Sequence, residues 1–137
     1  MTFSSQCKTT AESLETFALR AAERKEPVIR QLKMATLAKR LDLDRLIREG
    51  GLSDGGLDEF LEGYLAGATQ LHHPGFMGHQ VAVPHPLGAI AALINASTNN
   101  AMNIYEMGPS AATVEFAVVN WMLQKIGWVC APMPRLL

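Results

Sequence analysis

Apolar positions recur with a helical period along most of this chain. Thr10 to Lys25 is rich in strong helix formers and is expected to stop where Pro27 follows, because proline disfavours helical geometry in the residue before it. Pro27 is itself suited to a first helical turn, so the next helix is expected to carry Val28, Leu32, Ala35 and Leu37 toward Leu41. Asp42 to Arg48 reads as one more short turn or helix, closed by Gly50-Gly51. Ser53 or Asp54 is expected to cap an amphipathic helix in which Leu57, Phe60, Leu61, Tyr64 and Leu65 follow the i, i+3, i+4, i+7, i+8 spacing. Asp58, Glu59 and Glu62 fall outside that stripe.

From His72 to Pro86 the rhythm breaks. Pro74, Gly75, Gly78, Pro84 and Pro86 are turn and breaker residues and predict an irregular loop. Pro86 then opens a small-residue helix, PLGAIAALINASTNNAMNIYE, expected to end at Gly108-Pro109-Ser110, where the last helix starts. Val114, Ala117, Val118, Trp121 and Met122 form a broad apolar stripe on that helix, too apolar to stand exposed and in want of a partner surface. The chain as it stands is therefore expected to be all-α, helical over about 10–70 and 86–127 and irregular over 72–85. Residues 1–70 read as an N-terminal helical segment, 71–128 as a loop with two helices, and 129–137 as a divergent tail.

Composition narrows the function classes. At 137 residues, 48% hydrophobic and 18% charged, the chain has room for a modest core. A formal net charge of -1 argues against electrostatic nucleic-acid binding. Cys7 and Cys130 stand near opposite ends without metal-type spacing, which suits free thiols in a reducing compartment and leaves one end-to-end disulfide open. There is no signal-peptide core and no apolar run of roughly 18 residues, so a cytoplasmic protein without a membrane span is expected.

His72, His73, His79 and His85 raise the question of a metal site. Their spacings of 1, 6 and 6 lie in a loop with no Asp, Glu or Cys between them, unlike the paired ligand spacings of zinc sites. Loop histidines that bond backbone or line a pocket are the favoured reading, and no metal is expected. His79, between Gly78 and Gln80, is the one to single out, since neutral imidazole both donates and accepts near physiological pH. No GxSxG, GxxxxGK[ST] or GxGxxG motif is present. Glu106 reads as a helix C-terminal residue, Glu115 as an early-turn carboxylate, Lys125 as a solvated flank, and the Met and aromatic residues of the last helix as core. No catalytic residue is expected among them.

Several motifs follow one another in order: His73-Pro74-Gly75-Phe76, the small-residue stretch Ser97-Thr98-Asn99-Asn100, and Pro109-Ser110-Ala111-Ala112-Thr113-Val114-Glu115. Trp121-Met122-Leu123 and Gly127-Trp128 complete the series. Together they resemble the N-terminal part of the group II pyridoxal-phosphate-dependent amino-acid decarboxylases, with one extra residue before Thr113. Against the aromatic-amino-acid members, residues 71–115 run without a gap, while the first half matches only in helical character.

The resemblance implies the helical part of a fold type I, aspartate-aminotransferase-like α/β enzyme that acts as a homodimer on an L-amino acid. Such enzymes use pyridoxal 5'-phosphate held as a lysine imine. By that resemblance Leu71, His79, Gln80, Val81 and Ala82 would line the substrate pocket, and Ala101 and Asn103 would reach a neighbouring subunit's site. Where aromatic-substrate members place large rings, this chain has His, Gln, Ala and Asn, which favours glutamate, aspartate or diaminobutyrate over an aromatic substrate. The family's Schiff-base lysine, pyridine-nitrogen carboxylate, stacking histidine and phosphate loop have no counterpart here, and the last nine residues depart from the family's glycine-rich run. A fragment or frame-shifted remnant, binding no cofactor and inactive alone, is therefore expected. Two other classes stay open: a helical interaction module using the apolar face of 112–126, and a His-rich metal-binding domain.

Overall fold

The computed structural model describes residues 2–129. All regular structure among them is helical, as the periodicity predicts, and the chain divides at Pro84/His85 into two units.

The first unit holds α1 (Phe3–Ala22), α2 (Met34–Arg40), α3 (Leu43–Glu49), a 3-10 turn (Leu52–Asp54) and α4 (Gly56–Gly67). Helix α1 begins well before Thr10 because Thr2 caps it. The Thr2 Oγ1 accepts from the Ser5 N–H at 3.2 Å, and the Ser5 hydroxyl donates to the Thr2 carbonyl at 2.8 Å. It ends at Ala22, three residues short of Lys25, and Pro27 is not the cause. Arg24 takes φ +59°, while the Lys25 N–H bonds the Arg20 carbonyl and the Arg24 N–H bonds the Ala21 carbonyl. That paired closure is the Schellman arrangement, which satisfies the last carbonyls of a helix without proline.

No helix starts at Pro27, contrary to expectation; helical structure resumes only at Met34. A helix there would commit the Val28 carbonyl to the Leu32 N–H. Instead that carbonyl accepts from the Gln70 N–H at 2.8 Å, tying the segment to the chain beyond α4. Glu26 bridges Arg20 and Arg30 across the same stretch. A tertiary hydrogen bond and an ion cluster together override the local preference.

Asp42, at φ +49°, separates α2 from α3, and Gly50 closes α3 at φ +71°. Neither Ser53 nor Asp54 is the cap of α4, since both lie in the 3-10 turn and Gly55, at φ +99°, stands at the cap position. Helix α4 packs on α1 and on the 3-10 turn. Its Gly63 and Gly67, one turn apart, admit leucines. A Cβ at Gly63 would lie 3.1 Å from Leu41 Cδ2, and one at Gly67 would lie 2.8 Å from Leu37 Cδ2. Close approach of α2, not backbone freedom, is what these two glycines supply.

The second unit holds α5 (Pro86–Thr98), a 3-10 turn (Tyr105–Met107) and α6 (Pro109–Lys125). Helix α5 stops eight residues before Glu106, where continuation was expected. Asn99 adopts φ +46° and donates its N–H to the Asn95 carbonyl at 2.8 Å, a left-handed stop that asparagine tolerates better than most residues. Glu106 consequently lies in the 3-10 turn and is not a helix C-terminal residue. Proline opens α5 and α6 alike, and Gly127 at φ +77° closes α6 with the Trp128 N–H on the Leu123 carbonyl.

Helix α6 packs on the 3-10 turn that precedes it. The expectation that its Met and aromatic residues form core is not met among the described residues: Trp121 is 58% and Met122 56% exposed, and Val114 and Val118 are open too. Leu87, Ile90 and Ile94 of α5 are likewise exposed. A helix apolar around most of its circumference is stable when covered on several sides, and the described residues cover few of them.

Candidate functional site

The polar loop between α4 and α5 holds most of the residues that the sequence singles out. It is irregular throughout, as predicted. Its first half is held by backbone hydrogen bonds. The Gln70 N–H bonds Val28, the His73 N–H bonds the Gln70 carbonyl at 3.0 Å, and the Phe76 N–H bonds the His73 carbonyl at 2.9 Å. The His73 Nδ1 accepts from the Gly75 N–H at 2.9 Å. A Cβ at Gly75 would lie 3.1 Å from that ring. The His-Pro-Gly-Phe motif is thus a small turn folded around its own histidine.

Beyond Met77 the loop opens outward. His79 and Gln80 both take positive φ, +52° and +49°, with exposed side chains that make no hydrogen bond among the described residues. Two successive residues with side chains in the left-handed region cost roughly 1–2 kcal/mol each, and no side-chain hydrogen bond of theirs to the described residues offsets it. Val81 and Ala82 are exposed and Leu71 is partly buried. Ala101 and Asn103 lie in the second unit, exposed in the turn between Asn99 and Gly108. The back of that turn is tight: a Cβ at Gly108 would lie 2.9 Å from the Ala101 carbonyl oxygen.

The four histidines serve different ends. His73 holds its own turn, and the His85 Nδ1 caps α5 by accepting from the Leu87 N–H at 3.2 Å. Among the described residues the His72 Nδ1 is buried without a hydrogen-bond partner, and His79 is exposed. Among the described residues no group of three His, Cys, Asp or Glu is placed to hold a metal ion. Cys7 is a free, partly buried thiol, and Cys130 with the rest of the tail lies outside the described residues.

The resemblance implies pyridoxal phosphate, which requires a lysine in a pocket and a cradle for its phosphate. Lys8, Lys25, Lys33, Lys39 and Lys125 are all exposed, and the Lys125 ammonium sits 5.6 Å from the centroid of the Trp121 ring. The described residues do not fit the cofactor, and none of them is assigned a step in its chemistry. Glu115, in the second turn of α6, is exposed.

A feature missed in the sequence lies in the first unit. An open cleft of about 670 Å³ is lined by Phe17, Arg20, Glu26, Arg30 and Gln70, among others. Hydrogen bonds from Arg20 and then Arg30 hold the Glu26 carboxyl below the ordinary glutamate range. The four-residue step from Glu26 to Arg30 is visible in the sequence, but the approach of Arg20 depends on how the chain turns after α1.

No family model matches the chain, and no solved structure matches it. It is similar to an L-2,4-diaminobutyrate decarboxylase of Acinetobacter baumannii, with 25% identity over 81 residues, or 59% of this chain. The match spans 16% of that protein's length. No described helix is long and apolar enough to cross a membrane.

Proposed function

We propose that this chain carries the N-terminal, substrate-facing helical segment of a pyridoxal-phosphate-dependent amino-acid decarboxylase of the fold type I class. The similarity to the diaminobutyrate decarboxylase carries this reading. The ordered motifs from His73-Pro74-Gly75-Phe76 to Pro109-Ser110-Ala111-Ala112-Thr113-Val114-Glu115 support it. In this reading the substrate is an L-amino acid with a polar side chain, of which L-2,4-diaminobutyrate is the first to test. His79 and Gln80 offer it hydrogen bonds from the outward half of the loop, beside Leu71, Val81 and Ala82. Ala101 and Asn103 face the site of a second subunit in a homodimer. The cofactor is held by groups other than the described residues, and alone this chain does not catalyse.

The test is a segment exchange. The matching part of the Acinetobacter baumannii enzyme is replaced by the corresponding residues of this chain, and carbon dioxide release from L-2,4-diaminobutyrate is measured. Release above that of an enzyme lacking its cofactor lysine supports the proposal. A folded, dimeric, cofactor-loaded exchange enzyme with no release overturns it. The exposed apolar residues of α6 favour a second reading, a helical interaction module. That reading predicts an exchange enzyme that is loaded but inactive, together with an isolated chain that associates through α6.

A further inference from the structure

We draw no further inference here: the strongest candidate, the open charged cleft beside α1 and α4, carries nothing because Arg20 and Arg30 are already engaged by Glu26 and the Gln70 Oε1, the one buried side-chain polar atom without a partner among its described lining residues, is closed off from solvent.

Discussion

Replacing His79 separates a structural role from a substrate role more cleanly than any other change in this chain. The backbone there has φ +52°, the side chain is exposed, and it makes no hydrogen bond among the described residues. Relief of the left-handed backbone favours glycine by roughly 1–2 kcal/mol. The larger freedom of glycine in the unfolded chain opposes this by about 0.5–1 kcal/mol. His79→Gly is therefore expected to be neutral or to stabilise by up to about 1 kcal/mol, a rise in Tm of no more than about 4 °C for a chain of this size. His79→Ala keeps the backbone penalty and loses no hydrogen bond to the described residues, so it is expected to stay within about 0.5 kcal/mol of the parent, as an exposed substitution does. If His79 faces the substrate as proposed, both variants lose one hydrogen bond to it in the exchange enzyme. At up to about 1.5 kcal/mol, that corresponds to about a tenfold fall in kcat/KM for L-2,4-diaminobutyrate. Thermal melts of the chain and steady-state kinetics of the exchange enzyme read the two effects separately. A large drop in Tm with unchanged kinetics would show that His79 supports the loop, and its pocket role would have to be withdrawn.

Four further outcomes are expected. Gly56→Ala brings a Cβ to 2.6 Å from the Gly51 carbonyl oxygen, a backbone atom that cannot swing aside, so a loss of about 1–3 kcal/mol is expected in denaturant melts. Gly63→Ala meets a Leu41 methyl at 3.1 Å, with the Arg40 carbonyl oxygen at an ordinary 3.8 Å, and gains up to about 1 kcal/mol of helix propensity, so it should fall near zero; equal losses in the two variants would contradict the packing described for α4. Because Arg20 and Arg30 lower the folded-state pKa of Glu26, its contribution to stability is present above the ordinary glutamate pKa and fades as pH falls through the lowered value. Stability measured against pH should accordingly show a shallower acid decline in Glu26→Gln, and an unchanged decline would mean that the cluster contributes nothing. Borohydride reduction of the isolated chain with pyridoxal phosphate should label its exposed lysines weakly and without preference, whereas stoichiometric labelling at Lys125 or any other single lysine would reveal a pocket that the structure does not show.

Helix type was legible from periodicity, helix ends much less so. The stripe from Leu57 to Leu65 announces α4, yet its cap is Gly55, because a 3-10 turn takes up Ser53 and Asp54. Pro27 has the local chemistry of a helix start, but the hydrogen bond from Gln70 to Val28 joins residues forty-two apart, and no local pattern encodes it. Asn99 could have been read as a stop, since asparagine is among the few residues that accept a left-handed backbone; the small-residue run on either side of it pointed the other way. At the candidate site, the Gly and Pro content of 72–85 reveals the loop, and the resemblance selects its residues. The positive φ at both His79 and Gln80 was hidden, because neither residue type demands it. The apolar stripe of α6 was read as wanting a partner surface; the described residues leave it exposed, and what covers it is not encoded in this stretch of sequence.

Whether this chain supplies the substrate-facing loop of a decarboxylase is decided by substrate preference in the exchange enzyme. The ratio of kcat/KM for L-2,4-diaminobutyrate to that for an aromatic amino acid is measured before and after residues 71–82 of this chain are converted to the aromatic-substrate pattern. The unconverted loop is expected to favour the diamino acid, and conversion to shift the ratio by about tenfold or more, the scale of one positioned hydrogen bond. A ratio indifferent to these residues, in an enzyme that is active and loaded with cofactor, would contradict the assignment.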